Sequence, residues 1–298
     1  MSNFKSGFVN LLGRTNVGKS TFINGLIGEK VSITSEKPQT TRNRIRCIYE
    51  DDRAQIVFLD TPGLHTPTGA LGKYLVKEAR KGLKGADLLV YMVEPRDEIS
   101  PEDRDFFGKL KGVDSPKMLL VNKVDINSPA DIAETLKAYE EEDLFDEYVP
   151  ISALTGDGVD IALDRLVDLL PEGDRLFPEG TKTDKPISFL VSEYVREKVF
   201  RLTYEELPYS VATQTRYVKE REDEDLTEIG VDIYVVRKSQ KGIIIGKNGN
   251  MIKKIGVRAR KDLQRMLGTK IYLDLKVKVS KNWNRREQQV KRLGGSSS

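Results

Sequence analysis

"GRTNVGKST", residues 13–21, stands between the apolar run "GFVNLL" (7–12) and a helical pattern that begins near residue 18. Gly13-x4-Gly18-Lys19-Ser20 is a phosphate-binding spacing. Its glycines let successive backbone N–H groups turn toward one anion. A helix starting at Gly18 adds its favourable dipole. Lys19 is placed to reach β- and γ-phosphates, and the Ser20 hydroxyl suits Mg2+. Strand, loop and helix in this order open a βαβ unit, which predicts a mostly parallel sheet with helices on both faces.

The chain downstream keeps that rhythm. "AQIVFLD" (54–60), "DLLVYMV" (87–93), "KMLLVN" (117–122) and "YVPIS" (148–152) read as short buried strands. Helix-length stretches lie at about 18–27, 70–82, 101–111, 129–140 and 158–170. "RIRCIYE" (44–50) reads as an extra antiparallel edge strand. The pattern breaks at "LPEGDRLFPEGTKTDKP" (170–186), rich in proline, glycine and charge. We therefore expect one α/β domain over 1–171, a linker over 172–186, and a second domain over 187–293. "GGSSS" reads as a flexible tail, with 294–298 outside the second domain. The second domain is expected to be α+β: a helix over 187–206, strands near 210–218 and 230–237, a glycine loop, a helix at about 250–267, and the alternating strand "KIYLDLKVKV" (270–279). A last basic helix is expected over about 282–292.

Charge divides the chain the same way. Residues 182–298 carry 26 Lys and Arg against 15 Asp and Glu, whereas 1–181 carry 23 against 31. The excess concentrates in 237–292, with 18 against 3, so the C-terminal part suits a polyanion and the N-terminal part does not. Mean hydropathy is −0.44, and no apolar run approaches the roughly 18–20 residues that span a bilayer. The single cysteine, Cys47, closes no internal disulfide, and one histidine builds no metal cluster with it. A reducing, cytoplasmic setting is expected, with no signal peptide at the N-terminus.

Three further boxes follow strands: "DTPG" (60–63), "NKVD" (122–125) and "SAL" (152–154). Ligands of open α/β sheets bind at such strand ends. A carboxylate at Asp125 can accept both guanine donors, N1–H and N2–H2, and adenine offers no such pair. The set, in this order, resembles the translation-factor-like GTPases. The resemblance implies GTP/GDP and Mg2+ as cofactors. Gly13, Arg14, Thr15, Asn16, Val17, Gly18, Lys19, Ser20 and Thr21 would form the phosphate loop. Asn16 would contact phosphate and help hold a K+. Ser20 and Thr41 (with Thr40 as runner-up, in the switch-like "PQTTRNRI", 38–45) would serve Mg2+, Asp60 would hold it through water, and the Gly63 N–H would sense the γ-phosphate. Asn122 and Asp125 would read guanine under the stem of Lys123, and Ala153, between Ser152 and Leu154, would donate its N–H to the guanine oxygen. Lys19, Thr41, Gly63 and Asn16 are the groups expected to act in hydrolysis. Many GTPases carry Gln after the "DxxG" glycine to orient water. Here Leu64 stands there and cannot hydrogen-bond, so slow hydrolysis is expected; the neighbouring His65 reads as a surface loop residue.

A second glycine loop, "GKNG" (246–249) within "IIIGKNGNMIKKIG" (243–256), lacks the Lys-Ser/Thr pair a triphosphate needs. Helix, G-x-x-G and helix in a basic domain match a KH module, whose loop clamps the backbone of about four nucleotides. Gly246, Lys247, Asn248 and Gly249 would hold the RNA backbone. Ile243, Ile244 and Ile245 would line the groove under the bases, and Lys253 and Lys254 would add charge. The expected element order, helix–strand–strand–helix–helix–strand, is that of a type II KH domain. Trp283 reads as a core seal, with stacking on a base as the alternative.

The P-loop GTPase half joined to this KH half resembles one family over about residues 4–293, the bacterial Era GTPases. "SGFVNLLGRTNVGKSTFINGL", "KPQTTRNRI", "FLDTPGLH", "REKVFRLTYEELPYS" and "SQKGIIIGKNGNMIKKIG" carry the likeness. The chain departs at Thr15, where the family usually has Pro, and in its Gly-Ser tail. The resemblance implies a GTP-hydrolysing monomer that binds the 3′ end of 16S rRNA and assists assembly of the 30S ribosomal subunit. It also implies a pool peripheral to the inner face of the cell membrane, which only basic surface could support. Two other readings stay open at this point: an RNA-binding assembly chaperone with a vestigial nucleotide site, and a signalling GTPase docking on a protein or membrane.

Overall fold

The computed structural model describes residues 4–35, 37, 40–42, 45–60, 71–72, 74, 85–95, 98–221, 223 and 225–294. The chain forms two compact units. The first comprises Met1–Ser32, Arg44–His65 and Val76–Asp184. Its elements are β1 (Lys5–Gly13), α1 (Lys19–Ile27), β2 (Ile45–Glu50), β3 (Ala54–Asp60), β4 (Leu88–Val93), α2 (Pro101–Leu110), β5 (Lys117–Asn122), α3 (Pro129–Glu140), β6 (Glu147–Ile151) and α4 (Val159–Leu169). The sheet order is β2-β3-β1-β4-β5-β6. Every pairing is parallel except that of β2, the edge strand, which runs antiparallel to β3 as its sequence predicts. β3 and β4 are buried along their whole length, as strands covered on both faces must be.

The strand order reverses at β1, whose neighbours are β3 and β4. That switch point opens a crevice at the carboxyl ends of the strands. Register sets what lines it: Leu11 pairs with Asp60, Gly13 with Met92, and Asn122 with Ile151. Beside it, Tyr91 stacks on Phe106 and Phe145 and meets Phe107 edge-to-face, and its hydroxyl donates to Asp103 at 2.5 Å. Ser100 caps α2, and Ser128 with Asp131 closes a capping box on α3. Cys47 is buried in β2, and burial raises its thiol well above the usual range.

The proline-rich segment expected to link the domains is tied to the first unit. Glu172 bridges Lys5, and Thr183 bridges Cys47. Between them, the buried Gln55 accepts from the N–H groups of Leu176 and Phe177 (2.8 Å each) and donates to the Phe177 carbonyl (3.0 Å). A chain with few side chains to bury is thus held through its backbone.

The second unit comprises Ile33–Asn43, Thr66–Leu75 and Lys185–Ser298. Packing is therefore not contiguous in sequence, as the expected boundary at 171 would have it. Its elements are α5 (Ile187–Leu202), β7 (Ala212–Arg221), β8 (Leu226–Val235), α6 (Lys238–Ile245), α7 (Asn250–Leu267) and β9 (Lys270–Val279). The sheet order is β7-β8-β9, with β9 parallel to β8. Val191, Val195 and Val199 of α5, Ile244 of α6 and Ile255, Ala259 and Leu263 of α7 share one core with β8; Ile33 belongs to it too.

The expected basic helix at 282–292 is instead a 3-10 turn at Trp283–Arg285, a helical turn at Glu287–Gln289 and a π-turn at Val290–Gly294. Burial of Trp283 dictates the break. It is fully buried, donates from Nε1 to the Ser210 carbonyl (3.0 Å), and packs with Ala212, Val290 and Leu293. Core seal, not base platform, is its place. Trp283→Ala is expected to cost about 3–5 kcal/mol of stability, read as a lowered urea midpoint by circular dichroism; an unchanged midpoint would contradict this packing role.

Candidate functional site

The loop after β1 takes backbone conformations that few residues can adopt. Gly13 and Gly18 have φ of 136° and 109°, and Asn16 has φ of 66°. A Cβ on Gly13 would sit 2.2 Å from the Met92 carbonyl oxygen, and one on Gly18 would sit 2.0 Å from Asn122 Nδ2. Both glycines are required by space as well as by φ. Lys19, first residue of α1, is buried, and its ammonium donates to the carbonyls of Gly13 (3.0 Å) and Arg14 (2.6 Å). Burial lowers the Lys19 pKa to about 8, with Asp60 partly opposing. The side chain folds back over the loop that its charge would help fill with phosphate.

Asp60, at the end of β3, is fully buried. Its Oδ2 accepts from Ser20 Oγ at 2.9 Å and from Ser32 Oγ at 2.5 Å. The sequence patterns predicted Ser20 and Asp60; they did not point to Ser32. Ser32 is held in place by Asn24 of α1, whose Oδ1 accepts the N–H groups of Val31 and Ser32 (2.9 Å each) and whose Nδ2 donates to the Ser32 carbonyl (2.7 Å). A hydroxyl beside one carboxylate is a hard-oxygen donor set. It suits Mg2+, which completes its shell with water and phosphate oxygens and needs no all-protein cage. Among the described residues, no group of three or more His, Cys, Asp or Glu side chains is placed to hold a metal ion.

At the far end of the crevice, Asn122 staples two loops together. Its Nδ2 donates to the Val17 carbonyl (2.7 Å), and its Oδ1 accepts from the Ala153 N–H (2.8 Å). The Ala153 N–H, expected to serve the guanine oxygen, thus already has an acceptor in the protein. Asn122 keeps one amide hydrogen for a base. Asp125 is exposed, and Ser152, fully buried, orients it by donating to Oδ1 (2.7 Å). Lys123 adopts a left-handed φ of 71° and is anchored by Glu94 at 2.5 Å. Leu154 is 80 % exposed.

Arg14, Thr15 and Ser20 are half-buried, Asn16 is exposed, and Val17 is buried. Thr40 and Thr41 belong to the second unit and are buried there. The Thr40 carbonyl accepts from Arg196 of α5 (2.6 Å). Arg42, next along, is fully buried and donates to the carbonyls of Val211 (2.7 Å) and Pro208 (3.1 Å). Burial, reinforced by Arg196, pulls its pKa down to about 9 despite Glu193. Gly63, Leu64 and His65 lie outside the described residues.

In the second unit, Gly246 and Gly249 have φ of 73° and 75°, and Asn248 has φ of 54°. A Cβ on Gly246 would sit 2.8 Å from the Met251 backbone nitrogen. Gly249 precedes α7 and provides no side-chain cap; its N–H donates to the Gly246 carbonyl (3.1 Å) and the Asn250 N–H to the Lys247 carbonyl. Lys247, Asn248, Lys253 and Lys254 are exposed. Ile243 is exposed and Ile245 half-buried, and both can line a groove. Ile244 cannot, because it is fully buried in the core; three successive helical residues point three ways, so one of them had to face inward.

Comparison with known proteins follows this division. Residues 8–123 match the family described as 50S ribosome-binding GTPase, and residues 206–284 match the KH domain family. The chain is 44% identical over 292 residues to GTPase Era of Alkaliphilus metalliredigens, covering 98% of this chain and 99% of that one. It is 46% identical over 291 residues to GTPase Era of Geobacter metallireducens, covering 98% of each. Two solved structures superpose on 99% of this chain and 100% of their own at 38% identity. One is Era in complex with MgGDPNP and nucleotides 1506–1542 of 16S ribosomal RNA, with a TM-score of 0.93. The other is a variant of Aquifex aeolicus Era bound to GDP and AlF4−, with a TM-score of 0.94.

The buried Lys19 ammonium makes nucleotide binding pH-dependent. Free protein holds this pKa near 8, and neighbouring phosphate oxygens favour the charged form. GDP binding at about pH 9 should therefore take up between about a half and one proton, and affinity should fall as pH rises through 8. Titration calorimetry in buffers of different ionisation enthalpy reads the uptake. Zero uptake, with affinity flat over that range, would contradict the assignment.

Proposed function

The chain belongs to the GTPase Era family, and from that premise we propose that it hydrolyses GTP to GDP and phosphate and holds the 3′ end of 16S rRNA during assembly of the 30S subunit. The observation that carries this reading is the pair of anion loops, 13–21 and 246–249, each forced by glycines at positive φ and each in the context its ligand needs. It is supported by the relative solved with MgGDPNP and 16S rRNA nucleotides together, which the chain matches along its length.

In this reading the N–H groups of residues 13–21 cradle the phosphates, and Lys19 swings its ammonium from the Gly13 and Arg14 carbonyls toward them. Ser20 and Thr41 would hold Mg2+, with Thr40 the second choice to Thr41, and Asp60 would hold it through water; the metal would supply positive charge to offset that of the phosphates. Asn16 contacts phosphate and helps hold a K+, and the Gly63 N–H senses the γ-phosphate. Asp125, aimed by Ser152, accepts the two guanine donors. Asn122 acts chiefly by tying the phosphate loop to the base loop. Leu64 offers water no hydrogen bond, so the chemical step relies on backbone and switch groups and is slow. The vestigial-site reading does not account for Asp60, Asn122 and Lys19 all being held at the crevice by specific hydrogen bonds.

On the RNA side, Gly246 and Gly249 admit the sugar-phosphate chain, Lys247, Lys253 and Lys254 add charge, and Ile243 and Ile245 meet bases. The division into a GTPase domain over 1–171 and a KH domain over 187–293 is the working boundary. In this reading the protein works in the cytoplasm, and contact with the inner membrane face would rest on basic surface alone.

Phosphate release with GTP and Mg2+, with and without an RNA oligomer of the 16S 3′ end, tests the whole. Turnover with guanosine but not adenosine triphosphate, together with binding of that oligomer in preference to a scrambled one, is expected. No turnover in either case, or RNA binding blind to sequence, would overturn it. Gly246→Asp with Gly249→Asp should abolish RNA binding and leave GDP affinity within about twofold. Asp125→Asn should weaken GTP by at least about tenfold and shift preference toward xanthosine triphosphate, which offers an acceptor where guanine has a donor.

A further inference from the structure

Three charged side chains, Glu197, Lys198 and Asp262, connect Thr34 to α7 within the second unit. Glu197 of α5 is fully buried. Its Oε1 accepts from the Thr34 N–H at 3.2 Å. Arg201 closes on the same oxygen at 3.3 Å and donates to the Thr34 carbonyl (3.0 Å) and hydroxyl (2.9 Å). The other carboxylate oxygen accepts from Lys198 Nζ at 2.5 Å. That ammonium also donates to Asp262, the one acidic residue of α7. α7 begins directly after the GKNG loop. Thr34 is thus joined to the helix behind that loop through two carboxylates and one shared ammonium.

At its other end this segment begins at the nucleotide crevice. Thr34 is two residues from Ser32, whose hydroxyl is bonded to Asp60. Two residues of chain span at most about 7 Å, and Ile33 between them is fixed in the core. A shift of Ser32 has little slack to absorb it before Thr34. Nor can the charged groups yield one at a time, because a buried ion that loses its partner is left uncompensated at a cost of several kcal/mol. They move together or hold together, which is the property a two-position coupling element needs.

We infer that Glu197, Lys198 and Asp262 are positioning residues that couple the nucleotide state, entering through Ser32–Thr34, to the RNA-holding end of α7. The inference rests on reading 13–21 as the GTP site and 246–249 as the RNA site. It assigns no ligand contact to any of the three.

The test uses the full chain, a fluorescent single-stranded oligomer of the 16S 3′ end, and saturating MgGDP or MgGDPNP. Wild-type protein should bind the oligomer at least about fivefold tighter with MgGDPNP, the lower range of allosteric coupling. Asp262→Asn keeps the shape and removes the charge. It should bring the ratio to within about twofold of one while MgGDP affinity is unchanged. Lys198→Arg, which keeps the charge, should retain the ratio. An Asp262→Asn protein with the full wild-type ratio would overturn the inference, as would a wild-type protein that binds RNA equally in both states. Wild-type protein that binds no RNA in either state would overturn the proposed function and this inference with it. Hydrogen exchange on the unmutated protein needs no variant to fold. Replacing MgGDP by MgGDPNP should change amide protection within 250–262, and unchanged protection there would overturn the coupling.

Discussion

One carboxylate oxygen, Asp60 Oδ2, accepts the hydroxyls of Ser20 and Ser32. Much of the functional architecture depends on that shared acceptor. Ser20 stands in the first turn of the helix behind the triphosphate loop. Ser32 is the last residue of its stretch in the first unit, and Ile33 is the first in the second. In the proposed reading, with Asp60 reaching Mg2+ through water, nucleotide loading at this carboxylate would bear on Ser32 as well as on Ser20. Asn24 clasps the Val31–Ser32 turn from the other side with three hydrogen bonds, two of them to Ser32, so Ser32 is part of a braced turn.

The two glycine loops are alike for a physical reason and differ for another. Each brings main chain to an anion, and Gly13, Gly18 and Gly246 each sit where a Cβ would collide with neighbouring atoms. The first loop adds a buried ammonium and an oxygen pair for a metal, which suits a compact triphosphate. The second adds only exposed lysines and a helix start without a side-chain cap, which suits a chain of phosphates whose bases stay free. Similar backbone geometry thus carries a switch in one unit and a grip in the other.

Much of this was legible in the sequence. The strand–loop–helix at 7–27, the clean alternation of β9 and the boxes at strand ends follow from period and backbone chemistry alone. Four things were not legible. Asn24 and Ser32 act through hydrogen bonds set by the turn after α1, and a lone Asn and Ser carry no pattern. Ile244 sits in the core although its neighbours are more open, because helical geometry separates adjacent residues that look identical in sequence. The placing of segment 33–42 in the second unit follows from the burial of Ile33 and Arg42, a tertiary choice that local propensity does not encode. The break at Trp283 is of the same kind, since burial of one large ring overrode a helix-compatible stretch.

The central claim is that the two loops belong to one thermodynamic switch, and linkage makes it reciprocal. The most direct measurement is the affinity of the full chain for MgGDPNP and for MgGDP, each with and without a saturating oligomer of the 16S 3′ end. The account predicts that RNA tightens MgGDPNP relative to MgGDP by at least about fivefold. An oligomer that binds tightly yet leaves the ratio of the two nucleotide affinities unchanged would contradict it.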